Sequence, residues 1–142
     1  MQIISHRGNT DGTSEYENKP ELVLETLKDF KVEVDVWHSH GEWYLGHDKP
    51  KYKVNFSFFK EGMFLHCKNL SAVESFRNSG LNWFWHQTDA LTLTSNGDIW
   101  CYPNIYVDGG ITVYRGDEFI DIEEKIVGIC TDFPLAAREY YL

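Results

Sequence analysis

Apolar residues fall in blocks of three to five along most of this chain, the length of strands, and helical spacing is rare. Ile3 and Ile4 open a buried-type strand that ends in Ser5-His6-Arg7-Gly8, and a polar loop runs from Asn9 to Asn18. Leu22, Val23, Leu27 and Phe30 then recur at helical spacing, which predicts an amphipathic helix over Lys19 to Asp29. Asn18 and Glu21 have the spacing of a capping box at its start. A valine-rich strand from Val32 carries Glu33 and Asp35, and Trp37 to Gly41 reads as a turn. Glu42 to Leu45 forms the next strand and delivers Gly46-His47-Asp48.

Lys49-Pro50-Lys51 breaks the pattern before a Phe-rich segment. Met63 to Cys67 is a strand ending in Lys68-Asn69, and a capping box at Ser71 and Glu74 starts a helix that stops at Gly80. Asn82 to His86 is again a strand. Two strand–helix–strand units predict a parallel sheet. Beyond them Leu91 to Thr94 and Asp98 to Cys101 flank an Asn-Gly turn, Ile111 to Tyr114 and Lys125 to Cys130 are strands, and a short helix starts at Leu135. Residues 1–142 show no linker or repeat and are expected to form a single domain.

Two carboxylates two residues apart on a strand share one face. In apolar surroundings they repel each other and are costly to desolvate, which points to a neutralising divalent cation. The chemistry-bearing residues also recur at strand ends: His6-Arg7, Glu33 and Asp35, His47-Asp48, His66 with Lys68, His86 and Asp132. In a parallel sheet or barrel such ends lie together on one rim, where active sites form.

With 42% apolar residues, the chain can build a sizeable core. Its net charge of −9 argues against nucleic acid or an anionic membrane as a partner. No apolar run approaches the ~20 residues of a membrane span, so no membrane insertion is expected. The N-terminus lacks the pattern of a secretory signal. Three widely spaced cysteines, Cys67, Cys101 and Cys130, suggest reduced, packed thiols and a cytoplasmic setting. The aromatic content, 15%, is compatible with a homodimer without requiring one.

Ser5-His6-Arg7-Gly8, Glu17-Asn18, Glu33-x-Asp35, Gly46-His47-Asp48 and Gly128 to Pro134 together resemble the glycerophosphodiester phosphodiesterases. The resemblance implies the TIM-like (β/α) barrel of the phosphatidylinositol-phospholipase-C-like phosphodiesterases. At 142 residues, against the ~200 or more usual for such a barrel, it would have to be reduced, with outer helices replaced by loops. It further implies metal-dependent hydrolysis of a small-molecule phosphodiester, glycerophosphodiester-like or a sugar-phosphate diester. His6 and His47 would be the acid/base pair, Glu33 and Asp35 metal ligands, and Glu17 would join the metal site or orient His6. Arg7 and Lys68 would contact the phosphate, and His86 and Trp100 would sit against the substrate. His66 stands where the family usually has a glutamate, so the metal ligand at that position would be an imidazole, or absent. The cation could be Mg, Mn, Ca or Zn, mixed nitrogen and oxygen donors suiting Mn, Zn or Fe better than Ca. Two alternatives stay open: a non-catalytic barrel that binds a phosphorylated sugar or polysaccharide intermediate, and a lyase that stops at a cyclic phosphate.

Overall fold

The computed structural model describes all residues, 1–142. Its strands are β1 (Gln2–His6), β2 (Lys31–Ser39), β3 (Glu42–Leu45), β4 (Tyr52–Val54), β5 (Met63–Cys67), β6 (Trp83–Trp85), β7 (Leu91–Leu93), β8 (Ile99–Cys101), β9 (Gly110–Tyr114) and β10 (Gly128–Thr131). Three short helices accompany them: α1 (Pro20–Thr26), α2 (Leu70–Phe76) and α3 (Pro134–Tyr141).

All ten strands belong to one mixed sheet. From β6 the parallel order runs through β5, β2, β1, β10 and β9 to β8, and β7 pairs antiparallel on β8. The sheet curls, and the turn after β7 comes back to β6 through a backbone bond from Ser95 N–H to the Trp83 carbonyl. This overturns the expected TIM-like (β/α) barrel, even a reduced one. A TIM barrel alternates strand and helix, whereas here α-helices follow only β1, β5 and β10, and a single 3-10 turn at Phe56–Phe58 follows β4. After β2 the chain turns back as the β3–β4 hairpin, and β7 and β8 are joined by a tight turn. Connections of two to eight residues join β2 to β3, β3 to β4, β6 to β7, β7 to β8 and β8 to β9, too short for the missing helices.

The curl separates two kinds of core. Val32, Val34 and Val36 of β2 face outward and pack with Val23 of α1, Ala72 and Phe76 of α2 and Trp43 of the hairpin. Trp43 and Phe76 lie 4.4 Å apart between ring centres. Ile3 and Ile129 pack under Ala137 of α3. The concave side is filled by Ile4, Phe64, Phe84, Trp100, Ile111, Val113 and Cys130, one or two from each of β1, β5, β6, β8, β9 and β10. Each fully buried aromatic or aliphatic side chain contributes ~1.5–3 kcal/mol, so the outer layer carries much of the stability. The concave plug also gives the site above it a dry floor.

Local details differ from the sequence pattern for identifiable reasons. Strand β2 runs through Trp37 and His38 to Ser39, since both edges of the strand find partners. The turn shrinks to His40-Gly41, both at positive φ. Asn18 does not cap α1, whose N-cap is Lys19 with no side-chain bond. The α2 cap is Asn69, which accepts from the Ala72 N–H, and α2 ends at Phe76. The terminal helix begins at Pro134. No helix is long and apolar enough to cross a membrane.

Candidate active site

Because β1, β2, β5, β6, β8, β9 and β10 run parallel, their C-terminal ends share one rim, and a cleft of about 510 Å³ opens there. His6, Arg7, Glu33, His47, His66, Lys68, His86 and Trp100 all line it. Asp35 lies buried behind this surface, and Glu17 flanks it.

His6, the last residue of β1, is buried. Its Nδ1 lies 2.8 Å from Oδ1 of Asp132, which follows β10. The same carboxylate accepts from Asn9 Nδ2 at 2.9 Å and from Arg115 Nε at 3.1 Å. Burial alone would raise the Asp132 carboxyl, but the hydrogen bond and charge of His6, then Asn9 and Arg115, hold it down at about 2. An ionised carboxylate only accepts, so the proton of the ring sits on Nδ1. That leaves Nε2, 3.7 Å from Glu33 Oε2, as the acceptor nitrogen of the neutral ring.

Glu33 and Asp35 project from β2 toward the same side, as their spacing requires, and both are buried. His66 on the adjacent β5 pairs across from Asp35. Its Nδ1 lies 3.2 Å from Asp35 Oδ1 and 3.7 Å from Glu33 Oε1. Its Nε2 donates to the His86 carbonyl at 2.7 Å, and its ring stacks on Phe84 at 4.9 Å. With Nε2 committed as a donor, a neutral His66 turns the Nδ1 lone pair on two carboxylates. Either a proton or a cation must occupy that space. Burial lowers His66, but hydrogen bonds and charge from Asp35 and then Glu33 outweigh it and raise the imidazole to about 9. Burial likewise opposes ionisation of Asp35, and His66, Arg7 and Asn18 reverse it, holding that carboxyl well below the usual range.

Each of Glu33, Asp35 and His66 offers a ligand atom, and these atoms lie within 4.8 Å of one another. Glu33 Oε2 is buried without a hydrogen-bond partner, and Asp35 Oδ1 is left without one when His66 Nδ1 carries no proton. Two such carboxylate oxygens beside an imidazole nitrogen fit the donor set of a divalent cation. The cluster is equally neutralised without one: Arg7 Nε sits 3.1 Å from Asp35 Oδ2 and Lys68 Nζ 4.0 Å from Asp35 Oδ1.

Glu17 stands apart from these three ligand atoms. It holds Arg7 Nη1 at 3.0 Å and accepts from Asn9 Nδ2 at 3.3 Å, so it braces the arginine. Arg7 itself has φ +58, a left-handed conformation that costs a non-glycine residue on the order of 1 kcal/mol, and this turn directs the guanidinium back over β2.

His47 arrives by a different route. Strand β3 is antiparallel to β2 and descends to Leu45 beside Val36, so the Gly46 N–H donates to the Asp35 carbonyl at the level of the site. A Cβ at Gly46 would lie 2.1 Å from the Lys49 carbonyl oxygen, so only glycine allows this close return. His47 is then half exposed, with Nδ1 2.7 Å from Asp48 Oδ1. Trp100 is buried against Phe64 and Phe84 and forms the cleft floor. All three cysteines are buried and unpaired, and burial pushes the Cys67 thiol up to about 12, unsuited to a nucleophile.

Sequence reasoning placed Asp132 among the strand-end residues but gave it no role in the site; it is the buried partner of His6. Two further supporting residues were missed. Asn18 fits the helix-cap pattern but spends both ends of its amide on Asp35, donating from Nδ2 at 2.9 Å and accepting the Asp35 N–H at 3.0 Å. Arg115 carries no local signal at all. Comparison of the chain with protein-family models, curated proteins and solved structures returned no match.

Proposed function

We propose that the protein cleaves a small-molecule phosphodiester in this cleft, with His6 as proton carrier and a divalent cation held by Glu33, Asp35 and His66. The observation that carries the reading is the buried His6–Asp132 pair set against the Glu33/Asp35/His66 cluster, in one cleft that also holds two fixed cations. The motifs that resemble glycerophosphodiester phosphodiesterases support the same reaction.

Diester cleavage without a covalent protein intermediate needs charge neutralisation at the non-bridging oxygens, a base for the attacking hydroxyl and an acid for the leaving oxygen. Arg7 and Lys68 supply fixed positive charge for the phosphate, and Glu17 keeps Arg7 aimed. A bound cation would add Lewis-acid polarisation of a phosphoryl oxygen. His6 Nε2 takes the proton of the attacking hydroxyl, a neighbouring hydroxyl of the substrate, and Asp132 stabilises the imidazolium that results; the cyclic phosphate so formed is then opened by water to the monoester. His47, at the cleft mouth, gives the leaving alcohol its proton. Proton transfer of this kind contributes ~100- to 10,000-fold. The apolar floor under Trp100 keeps bulk water from screening these charges.

A second reading is a lyase that needs no metal, favoured by the sufficiency of His66, Arg7 and Lys68 to neutralise the carboxylates. One experiment separates the two: a panel of phosphodiesters assayed with Mn, Mg, Ca or Zn and with chelator, with phosphorus NMR of the products. The expected result is turnover that chelator abolishes and that ends in a monoester. A cyclic phosphate that persists with chelator present assigns the lyase. No cleavage of any diester by folded protein removes both.

A further inference from the structure

The cleft has a second wall whose chemistry differs from the His6 side. Trp85, His86, Gln87, Thr88, Tyr102 and Pro103 form it, and none is permanently charged. His86 is buried, and its Nδ1 lies 2.9 Å from Asp89 Oδ2. A carboxylate can only accept, so Nδ1 carries the proton and Nε2 of the neutral ring is an acceptor. That Nε2 is buried with no partner in the protein. Leaving a buried acceptor unmade costs ~1–3 kcal/mol, and such an atom in a cleft calls for a donor from outside the chain.

Beside it, Tyr102 follows β8 and keeps 41% of its surface open. Its ring centre is 5.8 Å from that of His86, edge to face. An open aromatic face next to a bare acceptor, with Gln87 and Thr88 alongside, suits a group that has both an apolar C–H face and hydroxyl donors. A phosphate oxygen is excluded from this position, because it would bring lone pairs against the lone pair of Nε2.

We propose that this wall binds the alcohol half of the substrate as a pyranose ring, with one hydroxyl donating to His86 Nε2 and a C–H face lying on Tyr102. The inference rests on the phosphodiester reading for where the phosphate lies, and adds the class of alcohol attached to it. Asp89 acts as a positioning residue by holding the His86 tautomer.

The test is saturation-transfer NMR on the full chain with methyl α-glucoside, galactoside and mannoside, each with inorganic phosphate present, and with adenosine as a rival stacking probe. Transfer to at least one glycoside is expected, falling at least fivefold in Tyr102→Ala and in His86→Phe. Tyr102 is open to solvent, so its variant carries the test even should His86→Phe fail to fold. Nitrogen chemical shifts of the His86 ring are expected to report Nδ1–H in the wild type and a mixed tautomer in Asp89→Ala. No transfer to any glycoside, equal transfer in Tyr102→Ala, stronger transfer to adenosine, or an Nε2–H ring in the wild type each overturns the proposal. Glycoside binding without diester turnover upholds this subsite while removing the phosphodiesterase reading, and turnover without glycoside binding does the reverse.

Discussion

Two of the histidine–aspartate pairs at the cleft have nearly the same length and opposite character. His6 and Asp132 meet at 2.8 Å with side chains 7% and 2% exposed; His47 and Asp48 meet at 2.7 Å with side chains 42% and 91% exposed. Bond length therefore says little about what each pair is worth. Asp132 has been taken out of water and is held by His6, Asn9 and Arg115, so its charge acts on His6 through a low dielectric and fixes one tautomer. Asp48 remains solvated, and an exposed pair of this kind is worth ~0–1 kcal/mol. In the proposed reaction the first pair would serve as a preorganised base and the second as a solvated proton donor.

The comparison breaks most sharply at His6. His6→Ala is expected to lower kcat by roughly 1,000-fold, within the range for lost acid–base catalysis, with the fold retained by circular dichroism. Asp132→Asn should cost about 100-fold in kcat with KM little changed, because the tautomer of His6 is no longer imposed. It should also cost on the order of 3 kcal/mol in a denaturant melt, the scale for breaking a buried pair. His47→Ala should cost about tenfold with an alkyl leaving group, and much less with a p-nitrophenyl leaving group that needs no acid. Equal losses for both leaving groups would assign His47 a binding role instead.

Acid stability sharpens the contrast further. Asp132 has a folded value of about 2, below its unfolded value, so its contribution is present above pH ~4 and is lost as the pH falls toward 2. The wild type should lose on the order of 2 kcal/mol over that window in pH-dependent melts, and Asp132→Asn should lose correspondingly less. At the small end, Asp48→Asn should leave kcat within about twofold and the acid melt unchanged. A tenfold effect there would mean that the exposed pair is as organised as the buried one.

Chain order and residue chemistry already pointed to a rim where strand ends meet, since a period of two puts Glu33 and Asp35 on one face whatever surrounds them. Most helix and strand positions were legible for the same reason, each depending on neighbours within a few residues, although β4 was not read as a strand and the turn after β2 was placed too early. The fold class was not legible. Two strand–helix–strand units suggest a parallel sheet, and the family resemblance implied a barrel with alternating helices, but closure and strand order depend on contacts between distant segments, such as β1 against β10, and on how few residues are left for connections. Asn18 illustrates the limit at one residue: its local pattern fits a helix cap, and only the approach of β2 turns its amide onto Asp35. His6 and Asp132, 126 positions apart, form a pair that no local pattern encodes. The amino-acid sequence by itself determined which groups carry charge, protons and ligand atoms. The tertiary structure alone decided which of them lose their water, because desolvation is set by whatever packs around a side chain, and packing is long-range.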